Sequence, residues 1–265
     1  MDNTITGDQD QKPGMMETKS SDQQPIEQKA ADQKPIEQKA TDQKPMEQKA
    51  ADQAAQEKAM VDNAFQHLLD TYLASRHRKK VGIITKAFNF ARQAHQGVKR
   101  LSGEPYIMHP IAVAQIACEE IGLGATSISA ALLHDVVEDT AATTECIQEA
   151  FGERIAALVA AESENKREDL PAGSTWKIRK QETIDHLRDA SIEVKMLTLG
   201  DKLSNIRSLY RDQLVYGERL WQRFNQKDKQ KHYWYYKRIA ECLTELKNHC
   251  AYAEYAGLVE KTFKE

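Results

Sequence analysis

The stretch LLHDVVEDT, Leu132–Thr140, sets a histidine and three carboxylates among leucines and valines. On a helix advancing about 100° per residue, with His134 at 0°, Glu138 falls near 40°, Asp135 near 100° and Asp139 near 140°. Leu133, Val136 and Val137 then occupy the arc from about 200° to 300°. The ionisable groups share one side and the apolar groups the other. An ordinary amphipathic helix with a solvated acidic face is one reading. AALL before the histidine and VV after it favour a helix packed deep, where three carboxylates and an imidazole are costly to bury without a cation among them. A divalent metal ion is the economical partner.

Working outward, the same spacing recurs. VGIITKAFNFARQAHQG (81–97) carries apolar residues at three- and four-residue steps and stops at Gly97. Pro110 suits the first position of a helix that Gly122 closes. Further helices are expected from about Thr126 through Glu138, over ECIQEAFGERIAALVAAES with a break at Gly152, and over TWKIRKQETIDHLRDA. IEVKMLTLGDKLSNIRSLY and residues 227–249 complete the set. No stretch alternates with period two. The expected fold is all-α.

The first sixty residues differ. DQQPIEQKAA (22–31) returns as DQKPIEQKAT (32–41) and DQKPMEQKAA (42–51). This ten-residue repeat has almost no aromatic or β-branched residues, too little apolar surface to offset the entropy of ordering it. Residues 1–58 are expected to form a disordered tail and 59–265 one helical domain. A charged helix is the alternative for the tail, opposed by a proline in each repeat. The tail carries seven Asp, five Glu and eight Lys, a net of −4 against −3 for the chain, so the remainder is near +1. That balance argues against a protein that coats nucleic acid, while leaving room for a small basic pocket. The absence of a long apolar run or an apolar N-terminal core predicts no membrane span and no secretory signal. Cys118, Cys146, Cys242 and Cys250 form no CxxC pair, which points to a reducing, cytoplasmic setting with each cysteine a small core hydrophobe.

Adjacent helical residues diverge by about 100°, so the HD pair needs ligands from elsewhere. GEPYIMHP offers His109, otherwise a capping or core histidine. TLGDKLSN offers Asp201, otherwise a solvated helix residue. Two His and two Asp form a nitrogen–oxygen set that suits Mn(II), Fe(II) or Zn(II) better than Ca(II) or Mg(II).

Three motifs, in order, carry a family resemblance: ARxAHxGxxRxSGEPYIxHP (91–110), AALLHDVVEDT (130–140) and LGDKLSN (199–205), with FG at 151–152 between the last two. Over about residues 80–250 the chain closely resembles the hydrolase domain of the stringent-response (p)ppGpp enzymes, members of the HD superfamily of metal-dependent phosphohydrolases. Having no room for a synthetase half, it looks like a small alarmone hydrolase. The resemblance implies Mn(II), or another divalent transition metal, at His109, His134, Asp135 and Asp201. Glu138 and Asp139 match the acidic pair that serves the hydrolytic water. Arg100 matches an arginine that stacks on guanine, and Asn205 an asparagine near the nucleotide. Lys166 is a candidate for a phosphate contact; for Lys177, Arg179 and Lys180 a solvated basic helix face is favoured over such a contact. The implied partner is a small nucleotide; a partner protein for the tail stays unknown.

Departures accompany the match. Leu101 stands where many members carry a basic residue, Lys202 where the long enzymes carry Arg, and ESENK (162–166) replaces their VTK segment. Base selectivity is therefore open. An adenosine alarmone or another phosphorylated nucleotide is the alternative substrate, and an antitoxin-like binding module the alternative function. YWYY (233–236) and WQRFN (221–225) are expected to pack the C-terminal helices.

Overall fold

The computed structural model describes residues 37–164, 167 and 172–264, and Lys49–Glu265 forms one compact unit. Its first helices follow their apolar periodicity. In α1 (Glu37–Ala74) Val61, Phe65, Leu68 and Tyr72 recur on one face and are buried; in α2 (Val81–Ala94) Ile84, Ala87, Phe88 and Ala91 do the same. The two faces meet with Phe65 stacked on Phe88, ring centroids 3.7 Å apart. The compact unit starts ten residues before the expected boundary at residue 59. ADQAAQEKAM (51–60) lacks proline and is rich in Ala, Gln, Glu and Lys, all good helix formers, so α1 continues through it.

The next elements are α3 (Met108–Gln115), α4 (Ala125–Leu133), α5 (Val136–Asp139), α6 (Thr144–Phe151) and α7 (Glu153–Glu162). In α4, ATSISAALL, every residue but Thr126 is buried, as befits a helix enclosed on all sides; α2, α3 and α7 surround it. Leu132→Ala should therefore lower stability by about 2–5 kcal/mol, read as a reduced urea midpoint with unchanged slope. Thr143 caps α6 by accepting from the Cys146 N–H, and Gly152, at φ +86°, makes the expected break before α7.

The remaining helices are α8 (Ala172–Arg188), α9 (Ile192–Tyr216), α10 (Lys229–Cys242) and α11 (Cys250–Lys264), with a 3₁₀ turn at Gly217–Arg223. Ser191 caps α9 through the Val194 N–H. Val194 and Leu197 of α9 join a core built by α1–α7, whereas Leu199, Leu203, Ile206 and Leu209 join a second core with α8, α10 and α11. Arg207 of α9 reaches Glu120, at 2.7 and 2.8 Å, and Glu254, at 2.7 and 2.6 Å. Glu120 belongs to a π-helical turn, Ile116–Glu120, that widens the end of α3. Among the described residues there is no strand, only an isolated bridge between Lys99 and Pro105. The fold is all-α.

Two expected helices are cut shorter. The one predicted through Glu138 opens at His134–Asp135, separating α4 from α5, and the one predicted over 227–249 ends at Cys242. The aromatic run packs as expected: Trp221 and Tyr235 are buried in the second core.

Candidate active site

The opening between α4 and α5 lets two neighbouring residues serve one point. Asp135 keeps a right-handed backbone but relaxes to ψ −7°, and its side chain swings beside that of His134. His134 Nε2 lies 3.2 Å from Asp135 Oδ1. His109, at the start of α3, brings Nε2 to 3.7 Å from Asp135 Oδ2 and 3.1 Å from Asp201 Oδ1, and His134 Nε2 is 3.6 Å from the same Asp201 oxygen. His109, His134 and Asp135 each offer a ligand atom within 4.8 Å of the others. The structure thus brings together all four residues expected at a metal.

These side chains suit a cation. His134 Nδ1 is bonded to the Ala131 carbonyl at 2.7 Å, and His109 Nδ1 faces Ser204 Oγ at 3.2 Å, so each ring turns Nε2 inward. His134 Nε2 is buried and makes no hydrogen bond. Burial disfavours charge on His134, yet Asp135 and Asp201 outweigh it and hold the imidazole well above its ordinary pKa. Burial keeps His109 below its ordinary value despite Asp201. Asp201 is held well below the carboxylate range against burial, chiefly by Lys202, whose Nζ sits 2.6 Å from Oδ2. Two imidazole nitrogens and two carboxylates at one buried point fit a divalent metal ion.

The cluster lies in the wall of a cavity of about 790 Å³, within the range of small-molecule sites. Glu138 lines it one turn beyond the HD pair, accepting from the Glu164 N–H at 3.3 Å. Burial, then Asp135 and Asp139, raise its carboxyl pKa. Asp139 is exposed and lies outside the wall formed by the described residues; Tyr106 Oη links it to Asp135, 2.7 Å from an oxygen of each. The expected acidic pair is thus divided. Arg100 and Asn205 both line the cavity. Asn205 donates to Asp201 Oδ1 at 2.7 Å, so it holds that carboxylate as well as facing the space. Lys166 lies outside the described residues. Of the three other basic residues, Lys180 lines the cavity, Arg179 is paired with Glu164 and Lys177 is exposed.

Several site residues escaped the sequence reading. Glu162 and Glu164 sit in ESENK, noted there for its lysine and as a replacement of VTK but not for its carboxylates. Burial pushes the Glu162 carboxyl up to about 7, and Thr198 donates to it at 2.5 Å. Glu164 accepts from Lys180 at 2.6 Å and stays below its ordinary value against burial, with Lys180 and Arg179 as the cause. His95 is buried with both ring nitrogens free of hydrogen bonds, its ring 4.7 Å from that of Tyr106. Both residues stood inside the ARxAHxGxxRxSGEPYIxHP motif, whose pattern marked them without assigning a task. Phe224, Tyr235 and Tyr236 line the cavity in addition to packing.

Comparison with known proteins agrees with this geometry. A family model described as HD domain matches residues 87–222. The bifunctional (p)ppGpp synthase/hydrolase SpoT of Escherichia coli K12 is 37% identical over 148 residues, 54% of this chain and 20% of that protein. A guanosine-3′,5′-bis(diphosphate) 3′-pyrophosphohydrolase of Aquifex aeolicus is 39% identical over 141 residues, 52% of this chain and 19% of that one. The match thus spans about a fifth of the length of these curated relatives. Among solved structures, a metazoan SpoT orthologue described as hydrolysing ppGpp aligns with TM-score 0.55 at 24% identity, covering 68% of this chain and 94% of that one, a likeness of fold.

Proposed function

The chain belongs to the HD domain family, and on that footing we propose that it is a metal-dependent (p)ppGpp 3′-pyrophosphohydrolase, converting ppGpp or pppGpp and water to GDP or GTP and pyrophosphate. The observation that carries the reading is the convergence of His109, His134, Asp135 and Asp201 in the wall of a cavity that Arg100, Lys180 and Lys202 also line. The curated relatives named above supply the substrate class.

In this reading the four residues hold Mn(II), with Fe(II) or Zn(II) as alternatives for the same donor set. Such an ion, when bound, would polarise phosphoryl oxygens and lower the pKa of a water in the site. The protein's own groups do the rest. Glu138, raised by burial and facing the cavity, takes the proton of the attacking water. The water oxygen bonds to the phosphorus attached to the ribose 3′-oxygen, the bond from that phosphorus to the 3′-oxygen breaks, and the 3′-oxygen leaves with the proton that Glu138 took. Lys180 and Lys202 face the phosphate charge, and the planar Arg100 guanidinium stacks on the base. Asp139 acts through Tyr106, keeping Asp135 oriented. A nucleotide is the only partner this chemistry needs. Four free thiols, and no helix among the described residues long and apolar enough to cross a membrane, support a cytoplasmic setting.

Protein stripped of metal and resupplied with Mn(II) should release intact pyrophosphate from ppGpp and pppGpp, with GDP and GTP as the nucleotides. Release of single phosphates would place the attack at the terminal phosphorus. Failure of a folded, metal-loaded sample to cleave either would leave the binding-module alternative as the better reading.

A further inference from the structure

One face of α9 runs the length of the cavity. Asp201, Asn205, Ser208, Asp212 and Val215 follow at steps of four, three, four and three residues, and all five line the cavity, as one stripe of a helix requires. From Asp201 to Asp212 the helix rises about 16 Å. That span is comparable with a nucleotide stretched from its 3′-phosphorus to the far edge of its base, with a ligand bond at one end and a hydrogen bond at the other.

The two ends of the stripe differ in chemistry. Around Asp201 the wall is histidine, carboxylate and buried lysine. Toward Asp212 the helix adds Leu209, Arg211 and Val215 to the wall, and Leu101 and Phe224 line the same cavity, with Leu101 58% and Val215 70% exposed. Large apolar side chains left to solvent at a cavity mouth are a surface for a flat ligand group to cover. The Asp212 carboxylate is half-buried there and makes no hydrogen bond or ion pair among the described residues. The Arg100 guanidinium, in the wall of the same cavity, likewise makes no side-chain hydrogen bond or ion pair among the described residues.

A carboxylate with neither a lysine nor a metal site beside it is out of place in a pocket for a polyanion unless the part of the ligand it meets is a donor. Phosphates would be repelled by it. Guanine presents two adjacent donors, N1–H and the N2 amino group, which a carboxylate accepts side by side. Adenine presents a bare N1 lone pair beside its amino group, and meets the same carboxylate with one bond and one repulsion. We propose that Asp212 is the specificity-determining residue of the site, reading the N1–H and N2–H edge of guanine while the base lies against Arg100, Leu101 and Val215. This assignment rests on the hydrolase reading for its substrate, and on the stripe of α9 for its place. It accounts for base choice, which ring stacking alone leaves weak because every purine presents a similar face, whereas an unmatched hydrogen-bonding edge is rejected strongly.

The test uses the full chain, guanosine 3′,5′-bis(diphosphate), its adenosine and inosine counterparts, and the variants Asp212→Asn and Asp212→Ala. Equilibrium binding by calorimetry and kcat/KM with Mn(II) are both measured. The wild-type chain should prefer the guanosine ligand to the adenosine one by at least about tenfold, with inosine, which keeps N1–H and lacks the amino group, between them. In both variants the guanosine-to-adenosine ratio should fall at least about tenfold, while metal content stays at the wild-type level. Equal binding of the three ligands by the wild-type chain overturns the assignment, with or without a folded variant. So does an unchanged ratio in the variants. Cleavage of all three ligands without preference sinks Asp212 and spares the hydrolase reading. A guanosine preference in binding that Asp212→Asn abolishes, in a chain that cleaves none of them, spares Asp212 and sinks the hydrolase.

Discussion

Replacing Glu138 by Gln should leave the metal bound and cut kcat by about 10²–10⁴-fold, the range expected for loss of a positioned proton acceptor. The substitution keeps the shape of the side chain and its ability to accept from the Glu164 N–H, so the cavity wall should hold. Glu138 also stands a helical turn beyond the HD pair and is not among the four residues proposed to hold the ion, which is why metal content should not move. Turnover and metal analysis on the same sample decide the matter. A Glu138→Gln protein that loses its metal would show that this carboxylate is a ligand and that the proton is handled elsewhere.

The second large effect is expected at His134. Its ring is locked by the 2.7 Å bond from Nδ1 to the Ala131 carbonyl, and Nε2 is delivered, buried and without another bond, to the cluster. Outer partners of metal ligands typically contribute 10–100-fold to affinity, so loss of a ligand itself in His134→Ala should cost more than about 10²-fold. Activity should vanish at low metal and return in part with excess Mn(II). This recovery separates the variant from Glu138→Gln, which added metal should not rescue. If His134→Ala binds metal as tightly as the parent, the ion is held by another set of side chains.

Much of this was legible in the sequence because the relevant signals are local. Helical periodicity in VGIITKAFNFARQA marks the buried face of α2 directly, and carboxylates inside the apolar segments around His134 and Asp201 are costly enough to flag themselves. What escaped depends on backbone detail or on partners distant in sequence. No periodicity announces that the chain relaxes at Asp135, yet that relaxation lets His134 and Asp135 share a point a regular helix would deny them. The same relaxation leaves Glu138 on the cavity and Asp139 outside it, although the helical wheel grouped them. Glu164 meets Arg179 and Lys180 across a gap of fifteen and sixteen residues, and Tyr106 meets Asp135 across twenty-nine. Such pairings follow from tertiary packing and leave no trace in spacing. The proline-free Ala-, Gln- and Glu-rich stretch 51–58, helical within α1 and part of the compact unit, was grouped with the proline-bearing repeat before it because the two share a composition.

The four residues of the proposed metal site come from widely separated parts of the chain: His109 begins α3, His134 and Asp135 join α4 to α5, and Asp201 lies within α9. An ion held by all of them is a cross-link between three helices. It closes chain loops of tens of residues, so its release frees both the site and the packing around it. Because only the folded chain assembles the four donors, free metal at a hundred times its dissociation constant would add about 2.7 kcal/mol to the folding equilibrium. A change in metal supply would then act twice, on how fast each molecule turns over and on how long each molecule survives proteolysis.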